Sequence, residues 1–180
     1  MEQADIIKVS DKKLTRFIPA DEIAARVKEI AAEINSDYTG RNPIMIGVLN
    51  GSFVFLSDLI RELEIECEID FLKLSSYGNE KISSGDITVL KELNCNPTGR
   101  DVILVEDIVD TGATINYLQE LINKNNPSSV RFATLLYKKE KCQSDVNIDY
   151  TGFEIEDKFC VGYGMDCAQK YRNLKDIYVL

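Results

Sequence analysis

The chain has 180 residues, of which 44% are hydrophobic and 28% are charged, and its formal net charge is −9. These values predict one globular domain with a single core, and no apolar run reaches the roughly 18 residues that a bilayer-spanning helix needs. Lysine and arginine form no basic cluster and the N-terminus is charged, so we expect a cytoplasmic protein with neither nucleic acid nor membrane as a partner.

The residue types of the chain limit its possible chemistry. It has no histidine, which excludes Ser-His-Asp and Cys-His nucleophile pairs and histidine-ligated zinc or iron. Its five cysteines form no C-x-x-C pair, so we expect reduced thiols. Proton transfer must then use Asp, Glu, Lys, Tyr or Cys. Any metal is expected to be a hard cation held by oxygen, with Mg²⁺ the first candidate.

The predicted elements alternate between strands and helices. Helices are predicted where apolar residues recur every three or four positions, and strands where they alternate or form short runs. In chain order these are helix 20–36, strand 44–49, helix 53–63, strands 65–74, 87–90 and 102–105, helix 114–124, strand 130–136, and short strands near 159–162 and 177–179. Polar residues 75–86 predict a mobile loop. This order predicts an open, mostly parallel α/β sheet flanked by helices, with ligands beyond the carboxyl ends of the strands.

Residues 102–114 carry the strongest functional signal. The segment is V-I-L-V-E-D-I-V-D-T-G-A-T, so a buried strand leads to Glu106 and Asp107 and then to a short loop that opens a helix. Helix N-terminal amides form an anion site, and Gly112 permits close approach of the backbone. Neighbouring carboxylates need a sugar diol or a magnesium ion beside them. The pattern predicts a sugar-phosphate site, and the alternative interpretation is an acidic helix cap.

This segment resembles the phosphoribosyl-diphosphate signature of the type I phosphoribosyltransferases. A second motif, F-C-V-G-Y-G-M-D at residues 159–166, extends the resemblance to the hypoxanthine–guanine branch over nearly the whole chain. The resemblance implies the type I phosphoribosyltransferase fold in one domain, residues 1–180. Its mostly parallel core, at about residues 37–155, is expected to bind the ribose phosphate. A small hood, from the N-terminal segment and about residues 156–180, is expected to bind the base.

The resemblance gives roles to the acidic residues and to the loop of the first motif. Glu106 and Asp107 are implied to meet the ribose hydroxyls and magnesium, with Asp166 as a third metal-binding acid. Asp110 is implied to accept the proton on N7 of the purine. The loop that is implied to bind the 5′-phosphate consists of Asp110, Thr111, Gly112, Ala113 and Thr114.

Other implied site residues come from three further segments. Asn50 and Gly51 follow the first core strand and match the diphosphate-binding loop, which often has a cis peptide before the position of Asn50. Many relatives carry lysine where this chain has Asn50, which removes a side-chain charge. Ser76 and Tyr77 match the catalytic lid, and Arg172 matches a residue that binds diphosphate. The alternatives are a plain turn, a flexible hairpin and a surface salt bridge.

The implied base site combines a lysine with the second motif. Lys138 is implied to donate a hydrogen bond to O6 of the purine, with Lys139 as the neighbouring alternative. The ring of Phe159 is implied to lie against the purine face, and the backbone at Cys160 to contact the base edge. The alternatives are that Lys138, Lys139 and Lys141 form a solvated basic patch and that Phe159 belongs to the core.

The reaction implied by the resemblance belongs to purine salvage. The 5-phosphoribosyl group of phosphoribosyl diphosphate is transferred to N9 of hypoxanthine, and of guanine, giving IMP or GMP and diphosphate, with Mg²⁺ as cofactor. The family also implies a homodimer or homotetramer. One alternative is a non-catalytic regulator of the same fold that senses phosphoribosyl diphosphate, and another is a flavodoxin-like receiver domain. Neither a G-x-G-x-x-G nor a P-loop motif is present in the sequence.

Overall fold

The described part of the chain folds into two β-sheets and three α-helices. In the computed structural model of the protein, this part comprises residues 6–9, 12–76, 87–145 and 147–179. Its elements in chain order are β1 (Ile6–Val9), β2 (Lys12–Ile18), α1 (Ala20–Asp37), β3 (Ile44–Leu49), α2 (Phe53–Arg61), β4 (Glu68–Ser76), β5 (Ile87–Lys91), β6 (Asp101–Val109), α3 (Ala113–Asn123), β7 (Ser129–Tyr137), β8 (Tyr150–Glu154), β9 (Cys160–Val161) and β10 (Ile177–Val179). None of these helices is both long and apolar enough to cross a membrane.

The larger sheet has six strands in the order β5-β4-β3-β6-β7-β8. Every neighbouring pair is parallel except β4 with β5, which confirms the predicted mostly parallel α/β architecture. The central strands β3 and β6 are buried along most of their length, as expected for strands that are covered on both faces. Because the parallel strands end at one edge, the loops that follow β3, β6 and β7 lie at that same edge.

Alternate residues of the central strands pack against different helices. Met45 and Ile103 belong to an apolar cluster shared with α1 and α2. Ile44 and Leu104 belong to a second cluster, shared with α3. The buried face of α1 consists of Ile23, Val27, Ile30, Ala31 and Ile34. The apolar residues that recur at helical spacing in the sequence therefore form the face of α1 that covers the sheet. The helix predicted at 20–36 is confirmed.

The smaller sheet combines strands from both ends of the described chain, in the order β1-β2-β10-β9. All of its neighbouring pairs are antiparallel. Ile18 of β2, Cys160 of β9 and Ile177 of β10 belong to the same apolar cluster as α1 and the larger sheet. The two sheets therefore share a continuous core, and the strands predicted near 159–162 and 177–179 are confirmed.

Two element boundaries differ from the sequence prediction in ways that affect the site. β6 continues to Val109, so Glu106 and Asp107 lie within the strand and not beyond it, because β7 continues to pair with β6 up to that residue. β4 begins at Glu68, three residues later than predicted, and reaches Ser76, inside the segment predicted as a loop. The rest of that loop, residues 77–86, lies outside the described residues.

Strands β1, β2 and β8 have no counterpart in the sequence prediction. For β8 the reason is local, since Tyr150–Glu154 has no apolar run and includes Gly152, a residue type that weakens strands. Long-range contacts hold β8 in place. A Cβ on Gly152 would lie 2.3 Å from the Leu135 carbonyl oxygen of β7. Arg26 of α1 donates a 2.7 Å hydrogen bond to the Thr151 carbonyl.

Candidate active site

The candidate site begins where β3 and β6 separate. The two strands pair from Ile44 with Val102 to Gly47 with Val105, and β6 then continues beside β7 alone to Val109. The loop after β3 occupies the space beside the last residues of β6. The pairing of β3 with β6 thus ends just before Glu106 and Asp107, the two predicted acidic residues.

Gly51 and Asp107 are in direct contact across this opening. A Cβ on Gly51 would lie 1.8 Å from the Asp107 Oδ2 atom, so no larger residue fits without moving the carboxylate. The peptide between Leu49 and Asn50 is cis, which confirms the expectation drawn from the resemblance. Asn50 itself is exposed. The loop therefore offers backbone and an amide side chain next to a carboxylate.

Residues 164–172 approach the same place from the second motif. A Cβ on Gly164, whose φ is +97°, would lie 2.2 Å from the Gly51 carbonyl oxygen. Arg172 donates a 2.7 Å hydrogen bond from Nη1 to the Gly164 carbonyl oxygen and pairs through Nη2 with Asp166 Oδ1 at 2.6 Å. Asp166 Oδ2 accepts from the Gln169 amide. Arg172 is therefore fixed beside the loop after β3, not extended into solvent.

The two acidic residues of β6 lie in an environment that opposes their ionisation. The pKa of Asp107 is raised to about 6, chiefly by burial with a smaller contribution from the charge of Asp166, although backbone hydrogen bonds and Arg172 act in the opposite direction. Burial, followed by the charge of Asp107, raises the pKa of Glu106 well above its ordinary value. In the segments that the structure describes, no three Asp, Glu or Cys side chains form a metal cage. A cation beside Asp107 would favour its ionised form.

The loop from Asp110 to Thr114 leads from β6 into α3. Gly112 precedes the helix with a φ of +85°, and a Cβ there would lie 2.4 Å from Ser144 Cβ, so the position requires glycine for both reasons. Thr111, Ala113 and Thr114 are exposed at the start of α3. The first turn of α3 carries no acidic residue, so its amide groups and dipole favour an anion.

Two lysines and two aspartates form a cluster beside this loop. Lys138, which follows β7, is only 7% exposed, and its Nζ lies 3.3 Å from Asp110 Oδ2 and 2.8 Å from Asp157 Oδ1. The Nζ of Lys141 lies 2.9 Å from Asp110 Oδ1 and 3.0 Å from Asp157 Oδ2. We call these four residues the Lys–Asp cluster. Asp157 is not among the residues predicted from the sequence, because its partner Lys138 lies 19 residues earlier in the chain.

The adjacent residue Lys139 has different surroundings. Its side chain is exposed and pairs with Glu154 Oε1 at 2.9 Å. Lys138 and Lys139 therefore point to different sides of the chain, and of the two only Lys138 contacts Asp110. The basic patch considered from the sequence is thus divided into a buried lysine, a partly covered Lys141 and a surface ion pair.

Phe159 and Cys160 stand next to the Lys–Asp cluster. Phe159 is 48% exposed, so it is not a core residue. Cys160 is buried, and burial raises the pKa of its thiol to about 11 while Lys138 acts in the opposite direction. The effect of the Lys138 charge on this thiol indicates that the two residues are close to each other. Ser76 ends β4, and Tyr77 lies outside the described residues.

The predicted site residues thus form two groups at one edge of the sheet. The opening between β3 and β6 is surrounded by Asn50, Gly51, Asp107, Asp166 and Arg172. The Lys–Asp cluster includes Asp110, the first residue of the loop before α3. Residues 19–168 match the family model described as the phosphoribosyl transferase domain. The chain belongs to the phosphoribosyl transferase family.

Individual relatives of this phosphoribosyl transferase are similar over most of its length. It is 44% identical to the hypoxanthine-guanine phosphoribosyltransferase of Bacillus subtilis over 164 residues, which cover 91% of each chain. It is 41% identical to the hypoxanthine-guanine phosphoribosyltransferase of Streptococcus agalactiae over 160 residues, which cover 89% of each chain.

Solved structures agree with this membership. A crystal structure of a hypoxanthine-guanine phosphoribosyltransferase from Bacillus anthracis superimposes with a TM-score of 0.88 at 43% identity, covering 92% of this chain and 97% of that one. A hypoxanthine phosphoribosyltransferase from Staphylococcus aureus gives the same TM-score at 34% identity, covering 98% of this chain and 92% of that one. The expected type I phosphoribosyltransferase fold is therefore confirmed.

Proposed function

We propose that this chain is a purine-salvage enzyme that transfers the 5-phosphoribosyl group of phosphoribosyl diphosphate to N9 of hypoxanthine, and of guanine. The observation that carries the proposal is the contact between buried Lys138 and Asp110 at 3.3 Å, next to a phosphate-binding loop. A 6-oxopurine needs a hydrogen-bond donor for its carbonyl oxygen and an acceptor for its N7 proton. The Lys138 ammonium group can supply the first, and the Asp110 carboxylate can supply the second. The named enzymatic relatives support the same reaction.

In the proposed reaction, the lone pair of purine N9 attacks the anomeric carbon of the ribose. The bond from N9 to that carbon forms while its bond to the diphosphate oxygen breaks, and the electron pair leaves with diphosphate. Asp110 accepts the proton from N7, which keeps the base electron-rich during attack. Lys138 donates to O6, the ring of Phe159 packs against the purine face and the Cys160 backbone contacts the base edge.

The phosphate groups of the substrate are assigned to backbone and to a few cations. The amides at the start of α3, with Thr111, Gly112, Ala113 and Thr114, bind the 5′-phosphate. The loop at Asn50 and Gly51 binds diphosphate mainly through its backbone, because Asn50 carries no charge. Arg172 contributes the cation on this side, and Ser76 and Tyr77 belong to the lid that closes over the diphosphate.

We propose Mg²⁺ as the cofactor of this reaction. The residues fit this ion, because Asp107 would supply a hard oxygen ligand from a buried carboxyl group, whose raised pKa a cation would lower. Magnesium is commonly held by one or two carboxylates together with water and substrate phosphates. Glu106 and Asp166 complete the acidic side of the site. When bound, the ion withdraws charge from the leaving diphosphate.

The protein is proposed to work in the cytoplasm as a homodimer or homotetramer, with phosphoribosyl diphosphate and 6-oxopurines as its small-molecule partners. The five cysteines are free thiols in the structure, which suits a reducing compartment. No observation favours the regulator or the receiver domain considered from the sequence.

The proposed function is tested with a panel of purines. Purified protein is incubated with phosphoribosyl diphosphate, Mg²⁺ and hypoxanthine, guanine, xanthine or adenine, and nucleotide formation is followed. We expect transfer to hypoxanthine and guanine, with adenine a very poor substrate. Absence of transfer to any 6-oxopurine, by protein that is folded and binds phosphoribosyl diphosphate, would refute the proposal and favour a sensor.

A further inference from the structure

The Lys–Asp cluster contains more charged groups than the proposed reaction uses. Lys138 and Asp110 have roles toward the base, whereas Asp157 and Lys141 have none so far. Asp157 contacts both lysines, and its distance of 2.8 Å to Lys138 is shorter than the 3.3 Å from Lys138 to Asp110. The side chain that holds Lys138 most closely is therefore Asp157.

The hydrogen-bonding capacity of Lys138 suits this arrangement. An ammonium group has three donors, and those of Lys138 serve Asp110 and Asp157 in the described structure. Two carboxylates fix the direction of Nζ, and the third donor remains for a carbonyl oxygen. Because the Lys138 side chain as a whole is only 7% exposed, the amine has little freedom to turn elsewhere.

The charges of the cluster are balanced, with two cations and two anions. The groups that face Asp110 in the described chain are Lys138, Lys141, Asp157 and the buried thiol of Cys160. Without the Asp157 charge, both lysines would have Asp110 as their only carboxylate partner within the cluster. Two ammonium groups beside one carboxylate would stabilise its ionised form and make it a weaker proton acceptor.

We propose that Asp157 is a positioning residue, which aims Lys138 at O6 of the purine and keeps the two lysines from pairing with Asp110 alone. Lys141 is the counterpart that holds Asp110 and Asp157 together from the solvent side. This inference rests on the proposed function, since it concerns the selection of the base and the strength of its proton acceptor. It adds two residues that neither the motifs nor the resemblance assigns.

The test compares Asp157→Asn with wild type in steady-state assays of hypoxanthine and guanine at saturating phosphoribosyl diphosphate. KM for both bases should rise about tenfold, the effect of one hydrogen bond to a charged group. KM for phosphoribosyl diphosphate should stay unchanged. The acidic limb of the pH profile of kcat/KM should move to lower pH by roughly half a unit to one unit, because a negative neighbour of Asp110 is lost.

Lys141→Gln provides the opposite change, because it removes a positive neighbour of Asp110 and should move the same limb to higher pH. Asp157→Glu should restore part of the loss in KM. The matched control is Glu154→Gln, which removes the carboxylate partner of the adjacent surface residue Lys139 and should change neither KM nor the pH profile. A purely structural role for Asp157 would not produce opposite pH shifts.

The outcomes separate the two proposals. If wild type transfers phosphoribosyl to 6-oxopurines but Asp157→Asn keeps its KM and pH profile, Asp157 is an ordinary surface ion-pair partner and this inference is wrong. Equal effects of Asp157→Asn and Glu154→Gln would also overturn it. If wild type transfers to no 6-oxopurine, the proposed function fails and the inference fails with it.

Discussion

Lys138 and Lys139 are adjacent lysines whose different contacts give a test of base selection. Lys138 is buried against Asp110, and Lys139 is an exposed partner of Glu154. A lysine ammonium donates to O6 of hypoxanthine or guanine but faces another donor at the amino group of adenine. An unpaired buried polar group costs about 1–3 kcal/mol. Lys138→Ala should therefore lower kcat/KM for both 6-oxopurines and narrow their advantage over adenine.

The control for this change is Lys139→Ala, which should leave all three values of kcat/KM near those of wild type. The measurement is steady-state kinetics with hypoxanthine, guanine and adenine for the three proteins. If Lys138→Ala kept the full discrimination against adenine while Lys139→Ala lost it, O6 would be recognised by Lys139. If both kept it, recognition would rest on the backbone.

Gly51 offers a second residue-scale prediction, because its position leaves no room for a side chain. A Cβ would lie 1.8 Å from Asp107 Oδ2, so Gly51→Ala must move the Asp107 carboxylate or the loop. We expect KM for phosphoribosyl diphosphate to rise about tenfold or more, as when one charge-assisted hydrogen bond is lost. KM for hypoxanthine should change less.

Gly40→Ala is the control for Gly51→Ala. Gly40 has a φ of +72°, and a Cβ there would meet no atom within 4 Å, so alanine strains the backbone far from the site and should lower stability by about 1–2 kcal/mol. Its KM values should match wild type. Unchanged KM for phosphoribosyl diphosphate in Gly51→Ala would remove this loop from the diphosphate site.

Local sequence pattern identifies some of these residues and not others. Asp110 and Gly51 come shortly after buried strands, and Asp107 lies near the carboxyl end of β6, so the rule that ligands bind at strand ends finds all three. Asp157 lies in an irregular segment and gains its importance only from contact with Lys138, 19 residues earlier in sequence. Such a contact depends on how β7 and the segment after β8 meet, and no short-range pattern contains that information.

At the scale of elements, Asp70 of β4 ties the edge strand β5 and the following turn to the sheet. Its carboxylate accepts hydrogen bonds from the backbone amides of Phe71, Asn94 and Cys95 and from Lys91 Nζ. Burial alone would raise the pKa of Asp70, but these hydrogen bonds lower it well below its ordinary value. The ionised form is therefore bound more strongly in the folded protein than in the unfolded chain.

A lowered folded-state pKa stabilises the protein above the unfolded-state pKa, which is about 3.9 for aspartate, and this stabilisation is lost as pH falls toward the folded-state value. Asp70→Asn should lower the free energy of unfolding at pH 7 by about 1–3 kcal/mol, because the NH₂ group of the asparagine side chain would face N–H groups that now donate to the carboxylate. Its stability should also depend less on pH below about 4 than that of wild type.

Urea unfolding of both proteins between pH 3 and pH 7 measures this difference. Glu68→Gln is the matched control, since Glu68 lies on the same strand and pairs with Arg100 at the surface, where an ion pair contributes about 0–1 kcal/mol. Parallel pH curves for Asp70→Asn and wild type would contradict the prediction.

Elements with a strong internal pattern are the ones that sequence predicts. The stripe of α1 and the apolar runs of β3 and β6 are local properties, and their positions agree with the structure. The sequence does not predict β8, because its strand conformation depends on Arg26 of α1 and on close packing of Gly152 against β7. The extension of β6 to Val109 likewise depends on its pairing with β7, not on residue type.

At the scale of the whole molecule, the two sheets share one apolar cluster, which contains Ile18 and Ile177 from the smaller sheet together with Met45 and Ile103 from the larger. Two units with separate cores would unfold independently, whereas units with a common core unfold together. We therefore predict that residues from both sheets contribute to a single unfolding transition, so that the expected hood and core behave as one domain.

Ile177→Ala tests this prediction, because Ile177 is fully buried in the smaller sheet. Removing a buried isoleucine side chain costs about 2–5 kcal/mol, and in a chain of this size each kcal/mol lowers Tm by roughly 2–4 °C. Ile122→Ala, in α3 on the far side of the larger sheet, is the matched comparison. Each variant should unfold in a single transition with a lowered Tm, and far-UV circular dichroism and tyrosine fluorescence should give the same midpoint. A separate early transition in Ile177→Ala alone would show that the smaller sheet unfolds by itself.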